Sequence, residues 1–144
     1  MISIKDLRIG DLVKTTTRNP ILEKGSICKV VLIDALINSI IVQKSDVDFC
    51  IGLVKEEIEG ILLTPDILEK NGWNKRHDPT SSCDIYSKGK DAFYVSLEQS
   101  IYKKQEGFEL VVADSTYRFG NKIQYVHQLQ HILWALGEDA NLKI

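Results

Sequence analysis

The chain lacks a C-x-x-C pair, a long apolar run and a half dominated by one charge sign. Each absence removes a class of function. Its three cysteines, Cys28, Cys50 and Cys83, are odd in number and widely spaced. Neither a disulfide framework nor a zinc ribbon is therefore expected. Three reduced thiols, packed as small hydrophobes in a cytoplasmic protein, are expected instead. A nucleophilic cysteine would need a histidine or a cation beside it to lower its pKa, and sequence alone shows no such neighbour. The most apolar stretch, Val30 to Val42, is interrupted by Asp34, Asn38 and Ser39. It is too short to cross a bilayer as a helix. The N-terminus carries Lys5, Asp6 and Arg8 and has no apolar run of the signal-peptide kind. No membrane partner is expected.

The formal net charge is −2, and it hides no asymmetry. Residues 1–72 hold 9 Lys+Arg and 11 Asp+Glu; residues 73–144 hold 9 of each. A nucleic-acid binder usually shows a basic face, so a nucleic-acid partner is not expected. The short basic clusters, Lys88 with Lys90 and Lys103 with Lys104, read as solvated hairpin turns.

Catalytic templates are missing as well. There is no phosphate-binding glycine loop, no G-x-S-x-G elbow and no H-E-x-x-H. Glu56, Glu57 and Glu59 cluster between two candidate strands. Acid–base work would need one of them in a cleft with a raised pKa. A solvated strand edge is the simpler reading, because charge there discourages edge-to-edge pairing.

What is present in residues 1–63 is β-structure. Ile9–Thr15, Cys28–Asp34, Ile40–Gln43, Cys50–Val54 and Ile58–Leu63 are short apolar or alternating runs. Asn19-Pro20, Lys24-Gly25 and Asn38-Ser39 are turn signals between them. Such a series predicts a small, strongly bent barrel of SH3-like type. A short helix follows. Thr64 is placed to cap it, Pro65 sits at its first position, and Asp66 complements the dipole. Gly72 suits a left-handed C-cap, with Trp73 folding back on Leu68 as in a Schellman motif. Asn74–Ser82 then reads as an exposed loop carrying a solvated His77. A hairpin is expected from Cys83–Ser87, a turn at Lys88–Asp91 and Ala92–Glu98. Phe93, Val95 and Leu97 should form its single apolar face. Phe108–Asp114 and Ser115–Gly120 give two more strands. The chain closes with a helix.

Three segments, IKDLRIGDLV, VKEEIEGILLTPDILEKNGW and IQYVHQLQHILWAL, stand in an order that resembles a family of small uncharacterised proteins. That family is frequent in gut Bacteroidetes and is associated with prophage and mobile-element gene neighbourhoods. The matching segments cover roughly a third of the chain. The tail departs from the family: GEDANLKI stands where a Thr-Gly-Glu-Glu-Leu-like ending is common. The resemblance implies a compact bacterial protein and carries no catalytic residue with it.

The terminal helix has two faces. At about 100° per residue, Tyr125, Leu129, Ile132 and Leu136 share one direction, with Val126 and Leu133 at its flank. This stripe should pack on the sheet. His127, Gln130, His131 and Trp134 follow i, i+3, i+4, i+7 spacing on the opposite side. Three readings of that second face stand open. His127 and His131 could ligate a metal, given a third ligand from elsewhere. The face could be covered by the chain itself, with Trp134 packed and the histidines bonded to backbone. Or it could meet another chain, as a tryptophan hot spot rimmed by His and Gln.

The fold expected is α+β. An N-terminal small SH3-like β-barrel (1–63) precedes a short connecting helix and a C-terminal antiparallel sheet packed by a terminal α-helix (64–144), the two lobes forming one compact unit. The function expected is a non-enzymatic interaction module. It would bind a protein partner or itself through His127, Gln130, His131 and Trp134, or through the barrel surface. The alternatives are a small metal-dependent enzyme using His127 and His131, and a nucleic-acid-binding barrel. No cofactor is expected.

Overall fold

The computed structural model describes residues 2–17, 21–46, 48–88, 95–112 and 117–144. The expected turns at Asn19–Pro20 and Gly89–Asp91 lie outside these residues. So do Ala92, Phe93 and Tyr94, and the strand ends at Asp114 and Ser115. The architecture is α+β, built mostly of strands: two antiparallel five-stranded sheets and two α-helices. The chain divides into two compact units, Met1–Ile61 and Leu62–Ile144.

The first unit holds β1 (Leu12–Thr15), β2 (Ile27–Asp34), β3 (Ser39–Lys44), β4 (Cys50–Val54) and β5 (Ile58–Gly60). Their order in the sheet is β4-β3-β2-β1-β5. Every strand the sequence predicts here is present; Cys50–Val54 keeps its ends and the others are shifted. β1 starts later than expected because Gly10, at φ 100°, turns the chain just before it. Ile9 is left outside, 71% exposed. β2 is irregular in register between Val30 and Leu32, which bends it. Alternate residues point inward: Val13, Cys28, Val30, Ile40, Val42 and Leu53 are all buried, and Ile4 from a short 3-10 turn joins them. That turn (Ile4–Asp6) is too short to carry an apolar period of its own. A second 3-10 turn, Lys55–Glu57, links β4 to β5. No described pairing joins β4 to β5, so the described ladder is an open one. Two of the three glutamates have local partners. Glu57 Oε2 accepts from the Val54 N–H at 3.0 Å, and Glu59 lies 2.8 Å from Lys14 Nζ.

The second unit begins with α1 (Pro65–Lys70) and follows its expected caps closely. Thr64 Oγ1 accepts from the Ile67 N–H. Gly72 takes φ 80°, its N–H reaches Glu69 O at 3.0 Å, and the Trp73 N–H reaches Leu68 O at 3.1 Å. This is the Schellman pair of bonds, and Trp73 and Leu68 are both buried beside it. The sheet comprises β6 (Asn74–Asp78), β7 (Cys83–Lys88), β8 (Val95–Ser100), β9 (Phe108–Val112) and β10 (Tyr117–Ile123), in the order β10-β9-β8-β7-β6.

One expectation is corrected here and one is extended. Asn74–Asp78 is not a loop but a strand, paired along its whole length with β7. It is an edge strand and polar throughout, so it carries no apolar alternation to betray it. β8 keeps Val95 and Leu97 on one face as expected, but its polar face is buried too. Val95 to Gln99 are all buried, Ser96 and Glu98 included. It is the middle strand of the sheet and is covered on both sides.

Side chains that oppose one another across the ladder share a face. Tyr86, Leu97 and Leu110 form one such row. Phe108 lies beside it, its ring 5.7 Å from that of Tyr86 in an edge-on contact. Tyr86, Leu97 and Phe108 are wholly buried, as are Val126 and Leu129 of α2 (Val126–Ala135).

Candidate functional site

The N-terminus of α2 is held by a side chain. Gln128 Oε1 accepts from the N–H groups of Gln124 (2.8 Å) and Tyr125 (3.1 Å). A Gln at this position reaching back is one half of a capping box. At the other end Gly137 turns left-handed at φ 73°, its N–H bonds Trp134 O, and the Glu138 N–H bonds Leu133 O at 2.8 Å. The tail therefore reverses sharply. Gln130 Nε2 donates to Ala140 O at 3.1 Å. Further on, the Asn71 side chain both donates to Lys143 O and accepts from Lys143 N–H, each at 2.8 Å. Leu142 is buried between these fastenings along the chain.

Val126, Leu129 and Leu133 are buried as expected, but Ile132 is only half-buried and Leu136 is exposed. The buried arc is centred nearer Leu133 than Leu129. The face of His127, Gln130, His131 and Trp134 is accordingly split. His127 and Gln130 face inward, 3% and 6% exposed. His131 is half-buried. Trp134 is 70% exposed. The Tyr125 ring stacks on His127 at 5.7 Å, and the His131 ring meets His127 edge-on at 5.8 Å. The outward remainder of that face is Trp134, bordered by the half-buried His131. With Trp73 replaced by Phe, the indole of Trp134 should be quenched freely by iodide, whereas Trp73 in the Trp134→Phe protein should resist quenching. Equal protection of the two would contradict this geometry.

A metal at His127 and His131 would need a third ligand. Among the described residues, no three His, Cys, Asp or Glu side chains are grouped to supply it.

A second polar cluster lies on β6 and β7. Asp84 has a side chain 12% exposed; Lys75 Nζ lies 3.0 Å from one oxygen and His77 Nδ1 lies 3.1 Å from the other. His77 is thus half-exposed and paired rather than simply solvated. Lys75 first, and then His77, hold the Asp84 carboxyl below the ordinary aspartate range, against the opposing effect of burial. A depressed carboxylate stabilises the fold in full above the unfolded value of about 3.9. That contribution is lost as pH falls through the lower folded value. Asp84→Asn should therefore cost about 1–2 kcal/mol at neutral pH. It should also reduce the fall of the urea midpoint with acidification below about pH 4. An unchanged acid limb would show that the ion cluster contributes nothing to the fold.

No protein-family model matches the chain, and no curated protein or solved structure matches it either.

Proposed function

We propose that the chain is a non-enzymatic interaction module that binds a protein partner through the exposed Trp134 surface of α2. The observation that carries this is the 70% exposure of Trp134 on a helix whose Val126, His127, Leu129, Gln130 and Leu133 are buried. A tryptophan is costly to leave in water and is the residue most enriched at binding hot spots. Here it sits on a helix fixed at both ends, so presenting it to a partner loses little conformational entropy. His131, three residues before it on the same face, supplies a polar border.

The reading of the first unit as an SH3-like barrel is supported by its strand order and by the 3-10 turn between β4 and β5. Phe49 is the single aromatic residue in 1–61. Single-stranded nucleic acid is gripped by stacking on several aromatics. Proline-rich peptides need an aromatic-lined groove. Neither ligand suits this unit, which favours the helix surface over the barrel as the contact. Three free cysteines, Cys28, Cys50 and Cys83, support a reducing compartment such as the cytoplasm. No described helix is long and apolar enough to cross a membrane.

The test is capture from an extract of the encoding organism on immobilised protein, with the captured partner identified by mass spectrometry. Trp134→Ala should weaken capture of that partner on the order of tenfold or more. Equal capture by the variant would refute the assignment.

A further inference from the structure

The hairpin joining β2 and β3 presents two aliphatic side chains to water. Leu36 is 97% exposed and Ile37 is 70% exposed. The turn does not need them. Asp34 Oδ1 accepts from the N–H groups of Leu36 (3.0 Å) and Ile37 (3.3 Å), and Asn38 takes the left-handed conformation at φ 58°. Those two residues are the types such a turn requires. The positions between them are open to any polar residue, yet they hold leucine and isoleucine. The side-chain bonds fix the loop, so the pair is held outward.

The setting of this tip is acidic. Asp34, Ser39 and Val54 form one row across β2, β3 and β4. Glu57 is bonded to the Val54 N–H, and Glu56 next to it is exposed. Lys55 is the one basic residue of that stretch.

The second unit carries the complementary feature. A groove of about 340 Å³ is lined by Leu62, Leu63 and Pro65, with Gln99 and Gln124 among its polar walls. Lys104 is the only charged side chain among its described lining residues. An apolar cavity of about 150 Å³ accommodates a benzene ring, so this groove has room for two aliphatic side chains. Leu62 stands at 63% exposure and Lys104 is exposed.

We infer that the chain self-associates head to tail, the Leu36–Ile37 tip of one copy seating in the Leu62–Pro65 groove of another. Charge selects this arrangement. Two tips packed against each other would bring two acidic clusters together, which is unfavourable. Seated in the groove, the acidic surround meets Lys104. The contact is heterologous, so it extends into rings or short chains rather than stopping at a dimer. It is also small, which places it among weak, transient associations.

Sedimentation equilibrium of the full chain, from about 10 µM to about 1 mM, reads this out. The average mass of the natural protein should rise with concentration past that of a dimer. Leu36→Ser with Ile37→Ser should remain monomeric, and so should Leu62→Glu, which sets a carboxylate where the acidic tip must approach. Each of these sites is exposed, so unchanged thermal unfolding is expected for both variants. Mixed together, the tip variant and the groove variant should form a one-to-one dimer and nothing larger, because each retains one intact half of the contact. A natural protein that stays monomeric throughout overturns the inference. So does a tip variant that associates like the natural protein, or a mixture that stays monomeric. Trp134→Ala should associate normally; if it alone abolishes association, the self-contact belongs to the Trp134 surface and the inference fails.

Discussion

Gly107→Ala is expected to destabilise the second unit by about 3 kcal/mol or more. Gly107 adopts φ 85° and ψ −158° as the chain leaves the 3-10 turn Lys104–Glu106 to start β9. That region of backbone space is open essentially to glycine alone. Space is the second obstacle. A Cβ there would stand 2.5 Å from Ile123 O and 2.9 Å from Gln124 Cγ. The carbonyl belongs to the strand that pairs with β9 at Phe108 and Ile123, so it cannot withdraw without breaking the ladder. Gly52 is the control. It lies in β4, and a Cβ would meet nothing within 4 Å. Gly52→Ala should change stability by no more than about 0.5 kcal/mol. Urea denaturation of the two variants side by side checks both. Similar midpoints would contradict the account of Gly107.

Phe108→Ala should cost about 3–5 kcal/mol. Phe108 is 0% exposed and is followed in its strand by the buried Leu110 and Val111. Its edge-on contact with Tyr86 adds a directional component to the apolar burial. The lost volume cannot be refilled from the sheet, since β9 is paired with β8 on one side and β10 on the other. Phe108→Leu, which keeps most of the volume, should lose clearly less. A Phe108→Ala protein within about 1 kcal/mol of the natural one would mean that the core of this sheet is loosely packed.

Local signals in the sequence were reliable where a residue's chemistry fixes the backbone. Thr64, Pro65 and Gly72 set the ends of α1 because each satisfies or tolerates one particular helix terminus. The strands of the first unit were legible because they alternate over a single core. β6 was not legible, because Asn74–Asp78 is held by its ladder with β7 and by the bonds of Lys75 and His77 to Asp84, none of which depends on apolar periodicity. The phase of α2 was misjudged for a related reason. Apolarity alone pointed to Leu129 and Ile132. Gln130 is instead bonded to the tail at Ala140, and His127 is buried with Tyr125 stacked on it. Of the four candidate site residues, Trp134 and in part His131 remain accessible. The Leu36–Ile37 tip was hidden inside an apolar run. Its signal was the bracketing of two aliphatic residues by Asp34 and Asn38, both turn formers.

The most direct measurement is the folding stability of Trp134→Ala, taken together with its capture of partner. A tryptophan that exists for contact should be removable at a cost within about 0.5 kcal/mol, while capture falls by tenfold or more. A loss of about 3–5 kcal/mol in stability, with capture unchanged, would show that Trp134 is a packing residue and would contradict the account.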